Sequence, residues 1–339
     1  MQPHSLMTSI VEIRVPTYRR PVLLRRALAS LVSQTYPLWR CIVIDDDPGG
    51  ESRNVCAQFN DSRIIYQENE RNLGVGANID RAFSLDPLPG STHACVLEDD
   101  NYYFPDCLRS NLELMAREGV DVVLRNQYLE TPSSFGRSRV GPRTSYDGQY
   151  VEGVVSRDEL WGAFFYSLGA NNAGLFWRVG AGLNFSTLAM IDCPQFQERL
   201  RTLCIDRRAY IALKPQIVYR DNGTESYTRV FGLRWPLQYL RLTTRERNIC
   251  LMLFAYLRQH NLEVHIWQSR FRKIDASGER VFWRVGIPLG VPTNLTKKDR
   301  MTLVIKRTFA KLGSLLITEP INYTIGENRI EARLRNDDR

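Results

Sequence analysis

The stretch CVLEDDNYYFPD, residues 95–106, runs an apolar segment into three consecutive carboxylates, Glu98, Asp99 and Asp100. Three like charges in a row repel one another and resist burial, so they require water around them or a cation between them. Carboxylate oxygens are hard donors. At the end of a strand they suit Mg2+ or Mn2+, which keeps some waters and completes its shell with phosphate oxygens. The alternative is a solvated acidic turn that caps the following helix, and a triplet by itself does not separate the two. A second triplet, Asp45, Asp46 and Asp47, follows the apolar run CIVI at 41–44 and opens the turn DDDPGGES.

The elements that would position these groups alternate in type. Residues 10–15, IVEIRV, read as a strand stopped by Pro16. Residues 21–34 read as a helix: Pro21 suits its first turn, and Leu23, Leu24, Ala27, Leu28 and Leu31 make an i, i+3/i+4 stripe. WRCIVID is a second strand, SRIIYQ a third, and a helix follows Gly74 over 75–85. THACVLEDD is a fourth strand, NYYFPDCLRSNLELMARE a turn and helix, and DVVLRNQYLE a fifth strand. Such alternation predicts an α/β domain around a mostly parallel sheet flanked by helices. Ligands of such sheets bind beyond the carboxyl ends of the strands, where both triplets fall. Residues 131–150, polar and rich in Gly, Ser and Arg, read as a loop. Beyond residue 235 the alternation fades into helical stretches at 244–259 and 297–313, with a Trp- and Arg-bearing hairpin-like stretch between them.

The 339 residues carry a net charge of +8, unevenly placed. Residues 231–339 hold 20 Lys and Arg against 10 Asp and Glu, and the first 230 hold 25 against 27. The basic C-terminal part suits anionic lipid headgroups or another anionic partner. Its stretch 301–316, MTLVIKRTFAKLGSLL, has the pattern of an amphipathic basic helix. A stripe of that kind also arises from packing on a domain. The seven cysteines are scattered and form no CxxC, which fits a reducing compartment; Cys41 and Cys95 lie in apolar runs and read as small core residues. No apolar run has the length of a membrane span, and residues 1–20 lack a signal-peptide pattern. The expected location is therefore cytoplasmic, with peripheral contact at the inner face of the membrane.

Four stretches in order resemble family 2 glycosyltransferases, which have the GT-A nucleotide-sugar fold: VPTYRRPVLLRRALASLVSQTYP at 15–37, CIVIDDDPGG at 41–50, NERNLGVGANIDRAF at 69–83 and CVLEDDNYYFPDCL at 95–108. The last occupies the place of the family's DxD-type motif. The resemblance covers about the first 110 residues. It implies a glycosyltransferase domain over 1–232, with a nucleotide-sugar half at 1–110 and an acceptor half at 111–232. Residues 233–339 would form a mainly helical, basic extension.

The resemblance also assigns roles. Pro16, Thr17 and Tyr18 would line the base and ribose, Asp45 or Asp46 would hydrogen-bond a uracil-type base, and Asn72 and Gly74 lie on the nucleotide side. Asp100 would be the main metal ligand with Asp99 beside it, near ribose or metal. The segment 72–80 departs from the family pattern, because members often carry Arg-Asn where this chain has Ile79-Asp80. Arg71 or a downstream Arg would have to meet the diphosphate instead. MIDCPQFQERL at 190–200 places Asp192 on the general-base position, where a carboxylate takes the proton of the attacking hydroxyl. Glu198 is the competitor, and capping of a helix at Pro194 is the structural alternative for Asp192. Asn222 occupies a slot where many members place a metal-binding His. The four histidines fall in no expected catalytic place.

The implied activity is inverting and metal-dependent, with Mn2+ or Mg2+. It moves a sugar from a nucleoside diphosphate sugar, UDP first and dTDP or GDP next, to an acceptor hydroxyl on a saccharide, lipid-linked or small-molecule acceptor. Bacterial relatives with lipid-linked acceptors keep peripheral membrane contact in view. The alternative is a nucleotide-sugar-binding protein without catalysis. A nucleotidyltransferase would want a G-x-G-x-R loop after the first strand, and VPTYRRP is not one. Nucleic acid is not an expected partner.

Overall fold

The computed structural model describes residues 8–132, 138–148, 150–165, 169–187, 194–221, 235–262, 301, 321–325 and 330–334. In chain order the elements are β1 (Ile10–Thr17), α1 (Pro21–Val32), β2 (Trp39–Asp45), α2 (Glu51–Phe59), β3 (Ile64–Glu68), α3 (Val75–Ser84) and β4 (Ser91–Val96). Then come β5 (Tyr102–Tyr103), α4 (Cys107–Glu118), β6 (Val122–Pro132), β7 (Ser138–Thr144), β8 (Gly153–Val155), α5 (Arg157–Phe164) and a 3-10 turn at Asn172–Gly174. β9 (Leu175–Arg178), α6 (Pro194–Leu203), β10 (Ala209–Arg220), α7 (Trp235–Gln259), β11 (Ile321–Ile325) and β12 (Ile330–Leu334) complete the order.

The chain divides into two compact units, 1–157 with 170–221, and 158–169 with 222–339. The first is built on one mixed sheet of order β3-β2-β1-β4-β9-β6-β10-β5, with β7 on β6 and β8 on β10. β3, β2, β1 and β4 run parallel. β9 runs antiparallel to both its neighbours, β4 and β6. Gly174, which leads into β9, has to be a glycine because a Cβ there would collide with the Arg125 carbonyl. Val11, Ile13 and Val15 of β1, with Cys41 and Val43 of β2, pack in one cluster with Leu24, Ala27, Leu28 and Leu31 of α1 and with Leu108, Leu112 and Met115 of α4. The apolar stripe read in α1 is thus its buried face. Cys41 and Cys95 are core residues, and burial pushes the Cys95 thiol up to about 12.

Two sequence expectations change. β1 does not stop at Pro16 but continues to Thr17, with Pro16 opposite Ile44. Its ladder with β4 has already ended at Arg14–Val96, so the missing proline N–H leaves no gap on that side. Part of the expected loop at 131–150 is the strand β7, paired antiparallel with β6. Its residues are mostly exposed, so the apolar alternation that marks a strand is absent.

In the second unit, Trp161 and Phe165 meet Tyr256 and Phe254 of α7 at ring-centroid distances of 5.7 and 6.5 Å. β11 and β12 form an antiparallel hairpin. Among the described residues no helix is long and apolar enough to cross a membrane. Apart from Met301, the amphipathic stretch 301–316 lies outside the described residues.

Candidate active site

The ends of β1, β2 and β4 lie side by side and carry the two acidic triplets. The first triplet is buried, with Asp45, Asp46 and Asp47 each no more than 3% exposed. Asp45 accepts the Tyr66 hydroxyl at 2.9 Å and the Asp47 N–H at 3.1 Å. Asp46 accepts the Asn69 amide and the Leu73 N–H, both at 2.7 Å, and the Gly74 N–H at 2.9 Å. Asn72 donates to the Asp46 carbonyl at 3.0 Å. Gly74 has φ +85°, where a side chain is strained, and this lets its N–H turn back onto Asp46. Asn78 ties the ends of β1 and β2 together through the Thr17 and Ile44 carbonyls at 3.3 and 3.2 Å. The Asn72–Gly74 loop is thereby moored on the carboxylate of Asp46.

The second triplet is arranged differently. Asp99 accepts the Thr17 hydroxyl at 2.8 Å. One guanidinium nitrogen of Arg20, Nη1, lies 3.2 Å from Asp99 Oδ1 and 2.9 Å from Asp100 Oδ2. Burial, followed by the neighbouring Asp100 charge, raises the Asp99 carboxyl above its ordinary range. The turn itself is held from behind. Arg26 donates from Nη1 to both oxygens of Glu130 at 2.8 Å, bonds the Asp100 carbonyl, and lies over the Tyr102 ring at 4.7 Å.

Glu98 faces inward. Its oxygens accept the Asn172 amide at 2.9 Å and the Asn101 amide at 2.8 Å. Asn172 in turn accepts from the buried Arg201 at 2.7 Å, and Arg201 also pairs with Asp80 at 3.3 Å. Glu198 accepts the Asn172 N–H at 3.0 Å. Burial, then the charges of Glu198 and Asp100, pushes Glu98 up to about 8; burial pushes Glu198 up to about 7. These groups hold protons more tightly than ordinary carboxylates, so the floor beneath Asp99 and Asp100 carries less negative charge than its residue types suggest.

Of the residues expected from the sequence, Pro16, Thr17, Asp45, Asp46, Asn72, Gly74, Asp99 and Asp100 come together at these strand ends. Tyr18 stands 43% exposed, under the Arg19 guanidinium at 5.2 Å from its ring. Asp192 and Asn222 lie outside the described residues. The sequence reading missed Arg20, Arg26, Asn78, Asn101 and Asn172. The signal for Arg20 was its place directly after the first strand, in PTYRRP. Asn101 directly follows the second triplet, whereas Arg26, Asn78 and Asn172 are joined to the site through partners far away in the chain.

The donor set fits a divalent cation of the hard kind. Two carboxylate oxygens converge on one positive nitrogen, and Mg2+ or Mn2+ commonly takes one or two carboxylates plus phosphate and water. Among the described residues no set of three His, Cys, Asp or Glu could hold a metal by itself, so other oxygens must complete the shell.

A profile described as Glycosyl transferase family 2 matches residues 12–175. Residues 12–175, just under half of the chain, carry the sequence pattern of this family. The match spans both acidic triplets and stops short of Asp192, Glu198 and Arg201. A UDP-Glc:alpha-D-GlcNAc-diphosphoundecaprenol beta-1,3-glucosyltransferase of Escherichia coli is 23% identical over 134 residues, 40% of this chain and 52% of that protein. A GalNAc(5)-diNAcBac-PP-undecaprenol beta-1,3-glucosyltransferase of Campylobacter jejuni is 28% identical over 157 residues, 46% and 50% of the two chains. The chain thus spans about half the length of these curated relatives. Residues 1–349 of S. aureus TarS, solved in complex with UDP-GlcNAc, superpose with a TM-score of 0.54 at 14% identity, covering 97% of each chain. The chain therefore has the GT-A fold. Its acidic ends of β2 and β4 lie beyond the carboxyl ends of a parallel sheet, where open α/β folds bind their ligands.

Proposed function

We propose that the chain is an inverting, metal-dependent glycosyltransferase that moves a sugar from a nucleoside diphosphate sugar to an acceptor hydroxyl, with UDP the first base to try. The observation that supports this is the convergence of the Asp99 and Asp100 carboxylates on a single cationic nitrogen at the end of β4. Asp99 and Asp100 would hold Mn2+ or Mg2+ together with donor phosphate oxygens, and the bound ion would offset the charge that builds on the departing nucleoside diphosphate. Thr17 orients Asp99, and Arg26 fixes the main chain at Asp100. Pro16, Tyr18 and the moored Asn72–Gly74 loop frame the base and ribose; Asp45 and Asp46 shape that wall. Asp192 takes the proton from the acceptor hydroxyl as its oxygen attacks the anomeric carbon from the face opposite the leaving group. The two relatives are named for diphosphoundecaprenol-type acceptors, which makes a polyprenyl-diphosphate saccharide the first acceptor to try. Such an acceptor would bring the chain to a membrane surface.

Calorimetric titration with UDP, with and without Mn2+, tests the donor site. Metal-dependent binding that disappears in Asp100→Ala is expected. Failure of UDP, dTDP and GDP alike would sink the assignment. Asp192→Asn is expected to keep nucleotide binding and lose sugar transfer.

A further inference from the structure

Arg20 and Arg26 begin and line the same helix, α1, yet they grip the Asp99–Asp100 turn in different ways. Arg26 is held on three sides, by both oxygens of Glu130, by the Asp100 carbonyl and by the Tyr102 ring. Its main contact with the turn is to backbone, so it can stay when the carboxylates change partner. Arg20 is 47% exposed in its side chain, and among the described residues its side-chain bonds run to Asp99 and Asp100. Its Nη1 occupies the point where both carboxylates converge. The chain enters α1 through the left-handed Arg19, φ +52°, which places Arg20 at the head of the helix.

The geometry points to Arg20 as an exchangeable counter-ion that occupies the cation position of the free protein and passes to the donor diphosphate when metal and nucleotide arrive. A guanidinium and a divalent ion cannot share these two oxygens, because their charges repel at contact distance. Binding of the ion therefore requires the guanidinium to leave. Its long, half-exposed side chain permits that without moving the helix. A displaced guanidinium at the edge of the site is matched in charge and shape to a diphosphate, whose oxygens suit its planar fork of donors. Asp80 of α3 is engaged by Arg201, Ser186 and Thr187. Arg20, at the head of α1, would supply a cation for the diphosphate. The consequence is a coupling: metal alone competes with Arg20, whereas metal with nucleoside diphosphate gives Arg20 a new partner.

This inference rests on Asp99 and Asp100 as the metal ligands. Mn2+ binding is measured without nucleotide from the free-ion electron paramagnetic resonance signal, and UDP binding at saturating Mn2+ by calorimetry. Arg20→Ala is expected to bind Mn2+ alone about 5–20-fold more tightly and UDP about 10-fold more weakly, opposite signs that follow from removing one competitor and one ligand. Arg20→Lys keeps the charge, and its Mn2+ affinity should stay within about 3-fold of the parent. Unchanged or weaker Mn2+ binding in Arg20→Ala overturns the exchange, and so does UDP binding that is unchanged. Asp100→Ala separates the two levels. If it abolishes Mn2+ binding while Arg20→Ala does nothing, the exchange alone falls. If it too leaves Mn2+ binding intact, the metal site falls and the exchange with it.

Discussion

β2 and β4 flank β1, and each ends in three acidic residues, but Asp45 and Asp46 of the first triplet lack the shared arginine that joins Asp99 and Asp100 of the second. At the end of β2, Asp45 and Asp46 receive hydroxyl and amide donors from Tyr66, Asn69, Leu73 and Gly74. At the end of β4, Asp99 and Asp100 share one arginine nitrogen, while Glu98 turns to asparagine amides below. Carboxylates whose lone pairs are filled by neutral donors from a nearby loop build the wall of a site. Asp99 and Asp100 share a cation on a half-exposed side chain, and on the proposed reading that is where a metal ion binds. Asp45–Asp46 and Asp99–Asp100 are the same residue types, and the charged donor shared by the second pair makes the difference.

The largest expected effect falls on the first triplet. Asp46→Ala leaves the Asn69 amide and the Leu73 and Gly74 N–H groups without their acceptor and should lower unfolding free energy by about 3–5 kcal/mol in urea titrations. A loss below about 1 kcal/mol would break the contrast. Asp100→Ala should do the reverse, with unfolding little changed but sugar transfer down at least about 100-fold, roughly 2.7 kcal/mol of barrier. A stability loss as large as that of Asp46→Ala would make the second triplet a structural element as well.

A pH titration sharpens the comparison by isolating the strand beneath the second triplet. His93 of β4 is 5% exposed, and burial, then the Arg178 charge, lowers its imidazole to about 4. The unfolded chain binds this proton near pH 6.5, so stability from His93 is full above that value and is lost as pH falls toward 4. The loss should amount to roughly 2–3 kcal/mol and be absent in His93→Gln, as read from urea midpoints at pH 7 and 4.5. A slope unchanged in the variant would assign the pH dependence to other groups. The smallest effect belongs to Arg19, which reaches Asp47 at 2.9 Å from a side chain 61% exposed. Arg19→Ala should lower the melting temperature only slightly, by no more than about 3 °C, because the Arg19 end of the pair is screened by solvent.

Much of the scaffold was legible in advance. α1 followed from Pro21 and its leucine spacing, and the placement of both triplets at strand ends followed from apolar runs that stop at Asp45 and Glu98. Pro16 misled because a proline ends a strand only where its N–H is needed, and β4 had already parted from β1 there. β7 was hidden because an exposed edge strand shows no apolar alternation. Arg20 was visible as a residue but not as a partner, since its two carboxylates lie 79 and 80 positions away. Asn172 meets Glu98 across 74 positions, which no local pattern reports.

The sequence by itself determined what depends on neighbours along the chain: the α/β alternation, the family motifs, and the position of six carboxylates at strand ends. Tertiary structure alone decided what each carboxylate does. Their donors come from β1, α1, the 69–74 loop and the Asn172 turn, which approach only when the sheet closes. Hydrogen bonding and charge act over a few ångströms of space, whatever the separation in sequence, and that is why two similar acidic triplets acquired different partners.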